Sequence, residues 1–266
     1  LLVVLVVALL VLGPSGLPAQ TYIKGQEKNP NLGPQLSSPM RLRVTAKGKT
    51  YTYKSAQGLK PVKEWKSEKA FETAGKIGPL DIRSRVQYDF DGFMYYDIYY
   101  KTGNKPVDTF EFVFNLKSPV DLLVHNNRGT DCVHPDALQR EGKVIWNSKD
   151  DAQQLPLFYG NFMPWIMLGN GDRCFIWVCE TDRGMRLIKD KPAMQVERTE
   201  NGDYTLRVFF INEPGPVKEE KHIKFGIATM PTKHYPEDHR DKNWNFEGLG
   251  GGPKLSDGSS AFSIHM

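Results

Sequence analysis

Tyr159 to Asp190 reads YGNFMPWIMLGNGDRCFIWVCETDRGMRLIKD. From Phe162 to Leu168 the chain is apolar almost throughout, interrupted by Pro164. Asn170-Gly171 follows, a dipeptide that accepts the positive φ angles of a tight hairpin turn. Arg173 to Glu180 is then Arg-Cys-Phe-Ile-Trp-Val-Cys-Glu, rich in the β-branched and aromatic types that suit a pleated backbone. Apolar residues on both faces of that run predict a strand covered from two sides, hence a central strand of a packed sandwich. A second turn, Thr181-Asp182-Arg183-Gly184, ends the hairpin.

Working outward, the same signals recur. Arg41 to Ala46 and Thr50 to Lys54 alternate around Lys47-Gly48, predicting a hairpin. Residues 81–101, DIRSRVQYDFDGFMYYDIYYK, read as two strands joined at Asp91-Gly92. Phe110, Phe112 and Phe114 alternate with Glu111 and Val113, a strand with one apolar face. Leu122 to His125 is a further short strand. Met194 to Thr199 and Tyr204 to Ile211 flank Asn201-Gly202, and Ile223 to Met230 closes the series before Pro231. Trp65 to Ala74 fits a strand or a short helix. Residues 126–156 read as a polar loop with Ile145 and Trp146 as an apolar island. Roughly a dozen short strands with close turn signals and no long helix predict an all-β fold, an antiparallel β-sandwich.

The ends differ from this body. Residues 1–12 are purely apolar, and small residues and prolines follow to Gln20. That is the core and tail of a secretory signal peptide, without its basic start. The apolar run is shorter than the ~20 residues a membrane span needs. The expected organisation is a truncated signal peptide at 1–19, a linker at 20–39, the β-sandwich domain at 40–235 and an irregular linker at 236–266. The expected location is secreted or periplasmic, with no membrane association once the signal is removed. A net charge of +4 from 35 basic and 31 acidic residues, mixed along the chain, does not make a nucleic-acid footprint. Cys174 and Cys179 lie five apart on one predicted strand, on opposite faces, where they cannot bond each other. With Cys132 they read as small buried hydrophobes.

Catalytic signals are sparse. Asp89, Asp91 and Asp97 lie near one hairpin, and Glu180 and Asp182 end another. Paired carboxylates support glycoside hydrolysis, but Asp91 and Asp182 are also explained by their turns. Asp89 and Asp91 lack the further spaced oxygens of a calcium loop. The histidines, among them His125, His134, His234 and His239, show no zinc spacing. Neither a nucleophile elbow nor a phosphate-binding glycine loop occurs. No cofactor, metal or catalytic residue is assigned. Aromatic residues are the stronger signal, because a sugar ring packs its C–H face on an aromatic plane. Trp177, mid-strand among apolar neighbours, reads as core. Trp165, after Pro164, and Trp146 are the predicted glycan contacts, with Asp172 and Arg173 beside them as substrate-binding candidates. Arg173 has two readings: a bidentate clamp on a carboxylate, or an ion pair tying down the hairpin end.

FMPWIMLGNGDRCFIWVCETDRGMRL, together with YDFDGFMYYDIYY at 88–100 and KFGIATMPTK at 224–233, resembles the N-terminal β-sandwich domain of glycoside hydrolase family 123-like proteins. The resemblance covers about residues 40–235. It implies a β-sandwich preceding a catalytic barrel, in enzymes of the β-N-acetylgalactosaminidase type that use the substrate's acetamido group and an Asp-Glu pair. This chain has no adjacent Asp-Glu step. The resemblance therefore implies a non-catalytic module whose partners are a C-terminal catalytic barrel and a glycan, with the hairpin partly facing the barrel. A free-standing carbohydrate-binding protein is the alternative. A small complete enzyme using Asp97 or Glu180 is the third reading.

Overall fold

Period-two alternation builds two sheets and one core between them. The structure, a computed structural model, describes residues 32–52, 60–65, 70–88, 92–125, 137–139, 141–150, 162, 164–170 and 172–230. The predicted signal segment, Cys132, His134, Asp89, Asp91, His234, His239 and the tail from 231 lie outside the described residues.

One sheet has six strands in the order β10 (Val144–Asn147), β13 (Met194–Arg198), β14 (Tyr204–Ile211), β8 (Thr109–Leu116), β1 (Leu36–Ala46) and β2 (Lys49–Thr52). The other has eight: β3 (Lys60–Trp65), β4 (Ala70–Ile77), β5 (Leu80–Tyr88), β6 (Met94–Lys101), β16 (Lys221–Met230), β12 (Cys174–Cys179), β11 (Trp165–Gly169) and β9 (Leu122–Val124). A short ladder pairs β7 (Pro106–Val107) with β15 (Gly215–Pro216). Neighbouring strands are antiparallel throughout both sheets. This is the antiparallel β-sandwich expected, with sixteen strands among the described residues.

Even-numbered residues of β8, Phe110, Phe112 and Phe114, are fully buried, as are Tyr96, Tyr100 and Phe225 from the facing sheet. Rings interlock across the gap: Phe112 meets Phe225 edge-on at 5.1 Å, Tyr100 meets Phe110 at 5.1 Å, and Phe114 meets Phe175 at 4.7 Å. Tilted and edge-to-face contacts at such distances suit the ring quadrupole and add to the large area each ring buries. Trp177 is fully buried in this layer, as its position predicts. The central hairpin therefore contributes Phe175 and Trp177 to the core. β12 lies between β16 and β11, the internal position expected of it. Cys174 and Cys179 are buried and unbonded, on opposite faces of β12.

Turn chemistry sets the register. Lys47 and Gly48 take φ of 51° and 70°, a two-residue hairpin between Ala46 and Lys49. At Gly78 (φ 58°), a Cβ would lie 2.6 Å from the Tyr51 ring of the other sheet. The Asn201-Gly202 pair sits inside a longer loop, closed by Thr199 N to Asp203 O at 2.8 Å, with Gly202 at φ 81°. The central turn includes Gly171, which lies outside the described residues. Asn170 closes it with its side chain: Oδ1 accepts from the amides of Asp172 (2.9 Å) and Arg173 (3.0 Å), while Nδ2 donates to Pro119 O (2.9 Å).

Three other expectations change. β1 begins at Leu36, inside the stretch that its prolines mark as linker. Trp65 to Ala74 contributes to two strands, β3 and β4, rather than one element. Ile145 and Trp146 belong to edge strand β10, so the segment 126–156 is not loop throughout.

Candidate functional site

With one face of each sheet spent on the core, the two outer faces are left to act. Their chemistry is opposite.

On the six-stranded sheet, Glu111 points outward from β8 yet is 1% exposed. Arg43 from β1 and Arg207 from β14 close over it, with Arg43 Nε to Glu111 Oε1 at 2.7 Å and Arg207 Nε to Glu111 Oε2 at 2.6 Å. Arg207 Nη1 reaches Glu197 at 2.8 Å, and Gln195 donates to the same oxygen at 2.7 Å. Burial works against the Arg207 charge, but hydrogen bonds and attraction from Glu111 and Glu197 outweigh it and hold its pKa above the usual arginine range. Beside them, Thr205 donates to Asn115 (2.8 Å), which donates to Ser38 (2.5 Å). The polar groups of this face are bound to one another. Glu111 accepts from two arginines and has no proton-transfer role open to it.

On the eight-stranded sheet the outward side chains form transverse rows fixed by the register. His222, Tyr99 and Arg83 lie side by side. Tyr99 is stacked on both faces, by the His222 ring at 4.2 Å and by the Arg83 guanidinium at 4.1 Å. The next row runs Lys224, Asp97, Arg85, Glu72, with Glu180 beyond Lys224. Its charges alternate strictly in sign. Asp97 Oδ1 bonds His222 Nε2 at 2.8 Å, and Glu180 meets Lys224 at 3.4 Å. The third row is Trp165, Val178, Gly226, Tyr95. Tyr95 is 43% exposed, the largest exposure among the aromatic residues whose burial the structure describes. Gly226 supplies a floor: a Cβ there would lie 2.3 Å from Phe93, whose ring rests on it and packs against Tyr95 at 4.5 Å.

The four predicted contact residues do not form one site. Trp165 opens β11 and is half-buried in the third row. Asp172 and Arg173 are exposed at the far end of the same hairpin, separated from it by the five residues of β11, about 17 Å of strand. Neither makes an ion pair among the described residues. Trp146 is a correction: it is 2% exposed, in the other sheet, with its ring edge-on to His125 at 4.7 Å. A buried indole offers no platform to a sugar. Asp97 and Glu180 are on the eight-stranded face, Asp97 hydrogen-bonded to His222 and Glu180 ion-paired with Lys224. Sequence reading missed Glu111, whose acidic character looked like an ordinary solvated strand face, and it missed the exposed role of Tyr95 within a run of tyrosines.

The second turn is structural. Arg186 donates to the carbonyls of Glu213 (2.7 and 3.1 Å) and Pro216 (2.8 Å). Tyr100 donates to Gly184 O at 2.6 Å, and burial pushes its phenol well above the usual range. A shallow cleft of about 330 Å³ lies here, lined by Tyr100, Arg186, Val217, Lys218 and Lys221. No group of three or more His, Cys, Asp or Glu side chains gathers among the described residues. No helix among them is long and apolar enough to cross a membrane.

The fold and its faces define a β-sandwich protein. No protein-family model matches the chain, and no curated protein matches its sequence. Among solved structures it is similar to the Slr1438 protein of Synechocystis sp. PCC 6803, with a TM-score of 0.40 and 8% identity over 74% of this chain and 76% of that one. It is also similar to the alpha-N-acetylgalactosaminidase NagBb from Bifidobacterium bifidum. In its GalNAc complex the TM-score is 0.46 with 11% identity, over 73% of this chain and 31% of that chain. For the ligand-free enzyme the values are 0.27 and 14%, over 73% and 34%. The chain thus spans about a third of the length of that enzyme.

Proposed function

We propose that this chain is the non-catalytic β-sandwich module of a secreted glycoside hydrolase of the family 123-like, N-acetylgalactosaminidase type. The sandwich would pack on a catalytic barrel and shape one wall of its glycan site. One observation carries the reading. The three stretches that resemble such modules, 88–100, 162–187 and 224–233, are far apart in sequence, yet they supply β6, β16, β12 and β11, four successive neighbours of the eight-stranded sheet. The Arg186 turn is locked beneath the same strands, because a Cβ on Gly184 would lie 2.0 Å from His222 O. The resemblance therefore describes one contiguous slab rather than scattered likenesses.

The outer face of that slab supports the role. It carries an exposed tyrosine and a half-buried tryptophan beside a row of alternating charges, a surface suited to a glycan or a domain that holds one. The test is to read the gene beyond the codon for Met266. An open frame into a barrel-sized domain with an Asp-Glu pair, whose hydrolysis of a nitrophenyl N-acetylgalactosaminide falls when the sandwich is deleted, is the expected result. A stop codon shortly after Met266 overturns the module reading. The exposure of Tyr95 then favours the second reading, a free-standing carbohydrate-binding protein.

A further inference from the structure

We infer that the outer face of the eight-stranded sheet is itself a glycan-binding site, taking a neutral oligosaccharide laid across the strands along the row Tyr95, Gly226, Val178, Trp165. The inference rests on the sandwich alone and needs no catalytic barrel, so it stands or falls separately from the module reading.

Four features of the face fit together. First, the row has an aromatic at each end. Trp165, Val178, Gly226 and Tyr95 are register partners on four adjacent strands. Three strand spacings separate the two aromatics, about 14 Å, a length that several sugar units rather than one would bridge. Second, the stretch between them carries a third ring. Gly226 has no side chain, and the Phe93 ring fills the space over it, where a Cβ would lie 2.3 Å away, and packs against Tyr95 at 4.5 Å. Phe93 and Tyr95 together give a flat pyranose face C–H contact with two adjoining rings.

Third, hydrogen-bonding groups line one side. Two residues along each strand, about 7 Å away, the adjacent row presents Glu180, Lys224 and Asp97. Their side chains are 64%, 43% and 24% exposed, so all three are reachable. Asp97 spends Oδ1 on His222 and keeps Oδ2 for a ligand hydroxyl. The His222 pairing holds the carboxylate in place, and the stack of His222 on Tyr99 and Arg83 holds the imidazole. Pre-ordered side chains of this kind lower the entropy lost when a ligand binds. Fourth, the charges of that row alternate along Glu180, Lys224, Asp97, Arg85 and Glu72. With three carboxylates to two cations the row carries a single excess negative charge, which disfavours a polyanion and points to sugars without acidic groups.

The contrast within the face identifies Tyr95 as the platform. Tyr99 has both ring faces covered by its neighbours and cannot stack on a sugar. Tyr96 and Tyr100 are buried in the core. Tyr95 remains, and nothing in the fold requires its ring to be exposed.

The test uses the full chain with cellohexaose, chitohexaose and yeast mannan, by affinity electrophoresis and calorimetry. The chain should bind at least one of the three. Tyr95→Ala and Trp165→Ala should each weaken that binding tenfold or more, and Asp97→Asn several-fold, with unchanged unfolding temperature for Tyr95→Ala. Val144→Ala, an exposed residue of the six-stranded sheet, should leave binding unchanged. Absence of binding to all three, or full binding by the Tyr95→Ala protein, overturns the inference. A dimer of the wild type that Tyr95→Ala dissociates, without sugar binding, also overturns it and makes the face a protein interface. If Trp165→Ala does not fold, Tyr95→Ala alone decides, because its ring supports no core residue.

Discussion

The two outer faces of this sandwich solve the same problem in opposite ways. Each sheet must present polar groups to water opposite its buried side. The six-stranded sheet binds its charges to one another, with Glu111 enclosed by Arg43 and Arg207. The eight-stranded sheet leaves rings and charges open, Tyr95 and Lys224 among them. A closed network contributes to fold and offers little to a ligand. An open row contributes little to fold and can contribute to binding. The difference separates a face closed on itself from one left open to solvent.

That separation can be broken most forcefully at Glu111. Glu111→Ala strands two partly buried arginines without their shared carboxylate, and should cost about 3–4 kcal/mol in chemical denaturation. A loss below about 1 kcal/mol would mean that the network is not the closed structural device described. The next largest effect falls on the turn under the open face. Gly184 has φ 88° and its Cβ would strike a backbone oxygen of β16, which has no room to move. Gly184→Ala should cost about 2–3 kcal/mol in the same assay, with weakened sugar binding because His222 shifts.

A pH titration sharpens the contrast between what is buried beneath the eight-stranded face and what is open upon it. Burial raises the Cys179 thiol from its ordinary 9.0 to about 11. Below pH 9 the thiol is neutral folded or unfolded, and stability is at its full value. As pH rises from about 9 toward about 11 the unfolded chain loses this proton first, so stability falls, by about 1–2 kcal/mol. Cys179→Ala should remove that part of the loss, as read by urea unfolding at pH 8 and pH 10.5. The smallest effect is on the platform itself. Tyr95→Ala should change stability by no more than about 0.5 kcal/mol, the range of an ordinary surface substitution.

The architecture was largely legible in the sequence because a half-buried strand must alternate. Phe110, Phe112 and Phe114 announced β8, and Tyr204 to Phe210 announced β14, for the same physical reason. The site was legible only in part. Trp165 stands out in the sequence because a proline and a turn flank it, and it is half-buried on the outer face. Asp172 and Arg173 were grouped with it by nearness in the chain, which a five-residue strand converts into distance in space. Trp146 misled because a four-residue edge strand gives too short a run for its periodicity to be read. Glu111 was hidden for another reason: its two arginines are 68 and 96 residues away, and only the sheet order brings them together. Tyr95 and Tyr96 differ by one position and face opposite sides, so the run at 95–100 contained the answer once its phase was known.

The most direct test of the open face is residue-level mapping of ligand contact. Amide spectra of the full, isotope-labelled chain would be titrated with chitohexaose, cellohexaose and mannan in turn. Shifts concentrated at Phe93 to Asp97, Trp165, Val178 and Lys224 to Ala228, with Arg43, Glu111 and Arg207 unmoved, are the predicted result. Shifts centred on the six-stranded face, or no shifts with any of the three, would contradict it.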